Sequence, residues 1–451
     1  MAGVHRSRRE LIGYSLGSAV LAAAAPTARS VPTSRPAGAN ERISVGLVGA
    51  GDRGMVLMEW INRLARQDNV TVTAVCDIWN QRRESAAQKA AELFGQSVRE
   101  CRTLSEMCDL GDVDALVIAT PDFQHAPQAK QAVEAGKDVF VEKPLGCDFR
   151  QIKLARDAVK RTRRILQLGT QRRSEGLVWA AREFVRKGQL GKITYVETSL
   201  PTFQQRWRIP GAETSLSESD TNWGEFISYT PKVPFNARYY REFRLFWPYS
   251  SGPICQWMTH SIDQVNLVLG EQPRTAVSSG GIYLWQDGRN NPDTVHCLLE
   301  YPSGCLVSFH MRLGNGAHTR ELMFYGTNGT LDLQAGVAFG EGGGGEVVLQ
   351  NPGARFPEYT TDALRRLPDR VKGGVILRGK PDRDHMSDFF SSMRSRRQPC
   401  AGVDGAFDAA LATTMAAMSL RQGRRIEFDA DKDELTPGEP TPATTPVANP
   451  H

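Results

Sequence analysis

The sequence predicts an α/β protein, with a doubly wound parallel sheet first and then an α+β domain built on a large, mainly antiparallel open sheet. Three observations predict it. A β-branched apolar run, Ile43 to Val48, leads into Gly49-Ala50-Gly51-Asp52-Arg53-Gly54 and an amphipathic helix. Apolar strands and helical stretches then alternate to about residue 165, which is the rhythm of a parallel sheet. From Arg274 to Leu333 the pattern changes to short runs, TAVSSGGIYLW, TVHCLLEY, CLVSFHMRL, ELMFYG and TLDLQ, separated by Gly, Pro and Asn turns. That spacing predicts antiparallel strands.

The 451 residues suit two domains, each able to bury its own core. Charged residues at 23% and apolar ones at 40% give a globular balance rather than a disordered chain. The formal net charge of +5 falls partly on an N-terminal arginine segment and is too small to argue for nucleic acid. Arg8-Arg9 precedes the weakly apolar run YSLGSAVLAAAA, then Pro26 and a Ser/Pro/Ala-rich stretch to Asn40. Paired arginines before a modest apolar segment resemble a twin-arginine export signal. The expectation is a signal over 1–30, a flexible arm over 31–41, and a periplasmic or otherwise exported protein. The apolar run is short of the roughly 20 residues a spanning helix needs, so no membrane span is expected after signal removal.

The glycine string has a specific chemistry because of its context. Val70 to Cys76 reads as a second strand, closed by Asp77, 23 residues after Gly54. This arrangement is the Rossmann dinucleotide fingerprint. Gly49 permits the tight turn, Gly51 lets the backbone approach a pyrophosphate, and Gly54 lets the helix pack on the strand. Asp52 and Arg53 open that helix, whose free N–H groups face the phosphates. Asp77 would accept hydrogen bonds from the ribose hydroxyls and repel a 2′-phosphate, favouring NAD over NADP.

The helical stretch Arg82 to Phe94 follows, then the buried strand Val113 to Ala119, which ends in Thr120-Pro121-Asp122-Phe123-Gln124-His125. Ligands in doubly wound folds bind outside such carboxyl ends. A helix over Ala126 to Ala135 and the strand DVFV lead to Glu142-Lys143-Pro144. The eight cysteines show no C-x-x-C pair and read as buried thiols, although Cys297 and Cys305 flank a turn closely enough to meet. No histidine spacing matches a metal site, so no metal is expected.

In this order and spacing, the glycine fingerprint, the T-P-x-x-x-H segment and the strand ending in Glu-Lys-Pro resemble the glucose-fructose oxidoreductase, inositol dehydrogenase and MocA (Gfo/Idh/MocA) family. The resemblance continues through Gly169-Thr170-Gln171-Arg172-Arg173, Gly188-Gln189-Leu190-Gly191-Lys192-Ile193 and His260-Ser261-Ile262-Asp263. It implies that Lys143 lies beside the nicotinamide and the substrate hydroxyl, that Thr120, Pro121, His125, Glu142 and Gln171 line the cofactor cleft, and that His260 has an acid–base role. It also implies a subunit interface on one face of the open sheet. Hydride removal from a carbinol needs a base and a donor for the developing alkoxide, which suits this pair. One departure stands out: an aspartate four residues before the histidine is replaced by Gln256, which removes a charge partner from His260.

Between Phe203 and Tyr249 lie twelve aromatic residues with Arg238, Arg241 and Arg244 among them. Such a stretch can stack on sugars, pack a long loop, or make a subunit contact. Arg172, Arg244, Tyr249, Gln256 and Asp263 are the candidate substrate-binding residues. His296 and His310 fall within strands and read as packed or interfacial. Gly340 to Gly345 lacks the following Lys-Ser or Lys-Thr of a phosphate loop. Helices over Asp384 to Arg394 and Gly405 to Gln422 are expected to pack back onto the first domain. The expected division is 42–165 for nucleotide, 166–430 for substrate and oligomerisation, and 431–451 as a disordered tail. The function expected is an NAD(H)-dependent oxidoreductase acting on a secondary hydroxyl of a sugar, sugar acid, cyclitol or glycoside. Two alternatives are an NAD-dependent glycosidase working by transient ring oxidation, and a non-catalytic nucleotide-retaining binding protein. The partners expected are a carbohydrate and further copies of the chain.

Overall fold

A computed structural model describes residues 42–317, 321–340 and 374–438. The stretches expected to be an export signal and a flexible arm, and most of the Gly340 to Gly345 loop, lie outside the described residues. The first sheet takes strands β1 (Ile43–Val48), β2 (Val70–Cys76), β3 (Arg99–Cys101), β4 (Ala115–Ile118), β5 (Asp138–Val141) and β6 (Leu166–Leu168) in the order β3-β2-β1-β4-β5-β6. All pair in parallel. Strand β6 belongs to this sheet, so the boundary expected at 165 falls one strand early. The order reverses between β1 and β4, and in such sheets that crevice is the ligand site. Helices α1 (Asp52–Leu64), α2 (Asn80–Phe94), α3 (Leu104–Cys108), α4 (His125–Glu134) and α5 (Phe149–Thr162) connect the strands.

After α6 (Gly176–Arg186) and β7 (Ile193–Ser199) comes the aromatic stretch, which holds the short helices α7 (Trp223–Phe226) and α8 (Ala237–Arg241). A π-helical turn, Ile254–Met258, runs straight into α9 (Thr259–Leu269). The remaining strands are β8 (Thr275–Gly281), β9 (Thr294–Glu300), β10 (Leu306–Arg312), β11 (Glu321–Gly326), β12 (Gly329–Asp332), β13 (Val337–Phe339) and β14 (Val375–Ile376). Helices α10 (His385–Ser395) and α11 (Val403–Gln422) then precede β15 (Ile426–Asp429) and β16 (Glu434–Pro437). The second sheet has ten strands in the order β14-β13-β12-β11-β7-β10-β9-β8-β15-β16. It is antiparallel except where β10 meets β7.

Two strand expectations change. TAVSSGGIYLW stops at Gly281 because the amides of Tyr283, Leu284 and Trp285 turn inward to donate to the Asp293 carboxylate. The stretch read as the start of a disordered tail instead forms β16, an edge strand, where Pro437 is tolerated because only one side must pair. Asp433, just before it, is ion-paired to Arg156. The rest of that tail lies outside the described residues.

One apolar core fills the face of the first sheet under α1 and α2, and Met386, Phe389, Phe390 and Met393 of α10 complete it. The other face shares a second core with α4, α5, α9, α11 and the large sheet. A third core joins Trp79 and Phe123 of the first domain to Phe226, Tyr240, Phe246 and Tyr249 of the aromatic stretch. All eight cysteines are free thiols, Cys297 and Cys305 included.

Candidate active site

Two adjoining cavities lie at the crevice of the first sheet. The smaller, of 230 Å³, is lined by Gly49, Gly51, Asp52, Arg53, Asp77, Thr120 and Pro121 with Arg82, Tyr240, Arg241 and Arg244. Gly49 sits at φ +88°, and a Cβ there would lie 2.8 Å from the Ala119 carbonyl and the Thr120 nitrogen. A Cβ at Gly54 would come within 1.9 Å of the Gly49 carbonyl oxygen, so the helix approaches the turn only because that atom is missing. Gly51 caps α1 without any side chain, which leaves first-turn amides for an anion. Asp77 closes β2 nearly buried and accepts from the Ala50 amide at 2.8 Å, the Trp79 amide at 2.9 Å and the Tyr240 hydroxyl at 3.1 Å. A dinucleotide fits this turn, helix start and strand-end carboxylate.

The larger cavity, of 710 Å³, adjoins it along Asp52, Arg53, Thr120, Arg241 and Arg244. Its floor is Lys143. The ammonium nitrogen lies 2.9 Å from Gln256 Oε1 and 3.0 Å from the Gln256 carbonyl oxygen, both of which accept from it. Burial lowers the Lys143 pKa; Glu142 and Asp122 oppose that shift and Arg244 reinforces it. The Gln256 amide is itself fixed, since its Nε2 donates to both oxygens of Asp122 at 2.6 and 2.7 Å. The Ser250 hydroxyl donates to Asp122 as well, at 2.7 Å. The carboxylate missing at position 256 is thus supplied from the loop after β4, one amide further from the cleft.

Glu142 accepts from Arg53 at 2.6 Å and from the Lys143 backbone amide at 3.2 Å. Gly169 leaves it room, for a Cβ there would press on the Glu142 carboxylate at 2.9 Å. His125 is buried in the wall, with Nδ1 at 2.6 Å from the Pro144 carbonyl and Nε2 at 2.7 Å from the Thr120 carbonyl. Burial lowers its pKa, and its position ties the two cleft loops together. Gln171, Arg244, Gln256 and His260 also line the larger cavity.

Three candidates lie elsewhere. Asp263 is buried behind the site in an ion pair with Arg173, 2.7 Å apart. Tyr249 packs against Phe123 and Phe226 in the third core. Arg172 is not among the lining residues and reaches Glu175 at 3.5 Å. Sequence reasoning missed Asp122, Arg206, Trp257 and Glu242, all of which line the larger cavity. Asp122 was visible within the Thr-Pro segment, but its role depends on a residue 134 positions away. One metal-capable group exists among the described residues: single ligand atoms of Asp122, Cys147 and Cys255 lie within 4.8 Å of one another. Asp122 is held there by Gln256 and Ser250.

Two family models match the chain. "Oxidoreductase family, NAD-binding Rossmann fold" matches residues 43–170, and "GFO/IDH/MocA C-terminal domain" matches residues 178–332, together well over half of it. Inositol 2-dehydrogenase of Rhizobium meliloti is 25% identical over 294 residues, 64% of this chain and 74% of that one. A glycosyl hydrolase family 109 protein of a Shewanella species is 26% identical over 226 residues, 48% and 45% of the two chains. The WlbA dehydrogenase of Chromobacterium violaceum, solved with NADH and UDP-GlcNAcA, has a similar fold: TM-score 0.61 at 17% identity, covering 88% of this chain and 99% of that one. Levoglucosan dehydrogenase with NADH aligns at TM-score 0.57 and 18% identity, covering 89% and 100%. Fingerprint, architecture and family models agree, and the chain is a member of the GFO/IDH/MocA family of NAD-dependent oxidoreductases.

Proposed function

We propose that this protein oxidises a secondary hydroxyl of a sugar-type alcohol, with Lys143 as the base and His260 as a second polar group at the reacting carbon. The observation that carries the reading is the seat of Lys143 in the wall of the larger cavity, which adjoins the smaller one lined by the glycine fingerprint and Asp77. A neutral amine has two N–H bonds and one lone pair. With both N–H groups donated to Gln256, the lone pair is the remaining tetrahedral position and can accept the hydroxyl proton. Burial favours that neutral form. NAD, bound along Gly49, Gly51 and Asp77, would accept the hydride. The proton passes to Lys143 and the C–H electron pair leaves with the hydride, so a ketone is formed. The names of relatives, an inositol dehydrogenase and a levoglucosan dehydrogenase among them, support polyols and sugars as the class to test.

The test is a panel of polyols, sugars and sugar acids with added NAD, read by absorbance of the reduced nicotinamide. Lys143→Ala should lose about 10²–10⁴-fold in kcat, the worth of a positioned general base. NADH binding, followed by its fluorescence, should persist in that variant. Release of nitrophenol from nitrophenyl glycosides without net nicotinamide reduction would replace this reading with the glycosidase one.

A further inference from the structure

We infer that the substrate of this cavity is an anion, whose carboxylate or phosphate is bound by Arg206 and Arg244 beside Lys143. The inference rests on the reading of the site as an alcohol oxidoreductase and narrows it to acidic sugars. Its basis is an imbalance of charge in the cavity wall. Of the acids there, Glu142 is held by Arg53, Glu242 by Arg208 and Arg238, and Asp122 by Gln256 and Ser250. Asp52 stands at the dinucleotide end, where it lines both cavities. Arg206 and Arg244 form no ion pair with any of these acids. Arg206 lies over the Trp257 ring at 5.0 Å and donates to Gln204 Oε1 at 2.8 Å; Arg244 lies over the Phe243 ring at 4.3 Å.

A guanidinium stacked on an aromatic face keeps its planar fork for a carboxylate or phosphate, and stacking holds that fork in place. The cations also act on one another. Burial lowers the Arg206 pKa and Arg244 adds to the shift, and Arg244 lowers Lys143 in turn. Such a group of like charges is costly to hold together in a partly desolvated cleft and is relieved by an anionic ligand. The dinucleotide's own pyrophosphate is the competing anion, and here the two arginines differ. Arg244 lines both cavities, whereas Arg206 lines the larger one alone. Arg206 therefore reports on substrate.

The experiment is calorimetric titration of the NADH-loaded protein with aldonates, uronates and sugar phosphates, each beside the neutral sugar or polyol from which it derives. At least one acid or phosphate should bind about tenfold or more tightly than its neutral parent. Arg206→Gln should weaken that ligand about 10- to 100-fold, the loss of a charge-assisted bidentate contact, with Arg206→Lys recovering part of it. NADH affinity, measured separately by fluorescence, should stay within about twofold. Carboxylates against phosphates in the panel identify the source of the charge. Equal affinity for acids and neutral parents overturns the inference while leaving the oxidoreductase reading intact, as does an Arg206→Gln defect that falls on NADH. Silence of the whole panel, with no turnover of any alcohol, overturns both.

Discussion

At Lys143 two neighbours act on one proton with opposite sign. Burial lowers its pKa and Arg244 lowers it further, while Asp122 raises it through space. Oxidation requires the neutral amine, so activity is lost as pH falls through this pKa. Removing the positive neighbour with Arg244→Ala raises the pKa and should move the acid limb of kcat/KM to higher pH. Asp122→Asn removes a negative neighbour and should move the same limb to lower pH. Limbs that move in the same direction, or not at all, would show that Lys143 is not the titrating group. The swap Asp122→Asn with Gln256→Asp places a carboxylate directly on Lys143 and should bring the limb back up. Gln256→Asp alone would set two carboxylates face to face, a different outcome from the one position 256 suggests when read alone. The cofactor residues were legible because fingerprint, strand end and helix start are local in sequence. The Lys143–Gln256–Asp122 chain was not, since it exists only where the loop after β4 meets the π-helical turn before α9. The same holds for Asp263: the helix carrying it was readable, but its rotation toward Arg173 rather than the cleft was not.

That ion pair belongs to a junction of three elements. Arg173 follows β6, Asp263 sits on α9, and the first turn of α11 closes over both. A Cβ on Gly405 would lie 2.5 Å from the Arg173 guanidinium, so a larger residue there would have to displace that ion-paired side chain. Asp408, one turn on, has its pKa pushed up to about 6 by burial; Arg173 opposes the shift and Asp404 and Asp263 add to it. The folded value lies above the unfolded one of about 3.9, so the stabilisation is full below pH of about 4 and is lost as pH rises through about 6. Above that the ionised group costs the fold about 3 kcal/mol, from roughly two pK units. Asp408→Asn should flatten the fall in stability between about pH 4 and about pH 6, measured by denaturant or thermal melts of both proteins. An unchanged slope would assign the pH dependence elsewhere. Most element boundaries near this junction were readable within a residue or two, because α10 and α11 carry clear caps: Asp384 before one and Gly423 after the other. Strand β16 was misread because its Glu, Thr and Pro composition is that of a linker, and only pairing with β15 makes it a strand.

Across the whole molecule, the ten-stranded sheet packs α9 and α11 on one face. The residues of its other face line up by register: Leu298 opposite Ser308, Ser308 beside Glu197, and Glu197 opposite Met323. The next row carries Tyr195 and Tyr325, their rings stacked at 5.7 Å, and the row on the other side carries His296 and His310 at 5.8 Å. Leu298 is 38% exposed there. Apolar and aromatic side chains on the second alternation of strands, with no covering layer among the described residues, are what an isologous contact between two copies would bury. We expect the protein in solution to have at least twice the chain mass of 49.8 kDa by light scattering. Leu298→Glu combined with Met323→Glu sets carboxylates beside Glu197 in one row of that face and should reduce the mass to a single chain. The variant's far-ultraviolet circular dichroism and NADH binding should be retained, because this row is turned away from the three cores and from the cavities. A wild-type protein that already runs as a single chain would refute this contact.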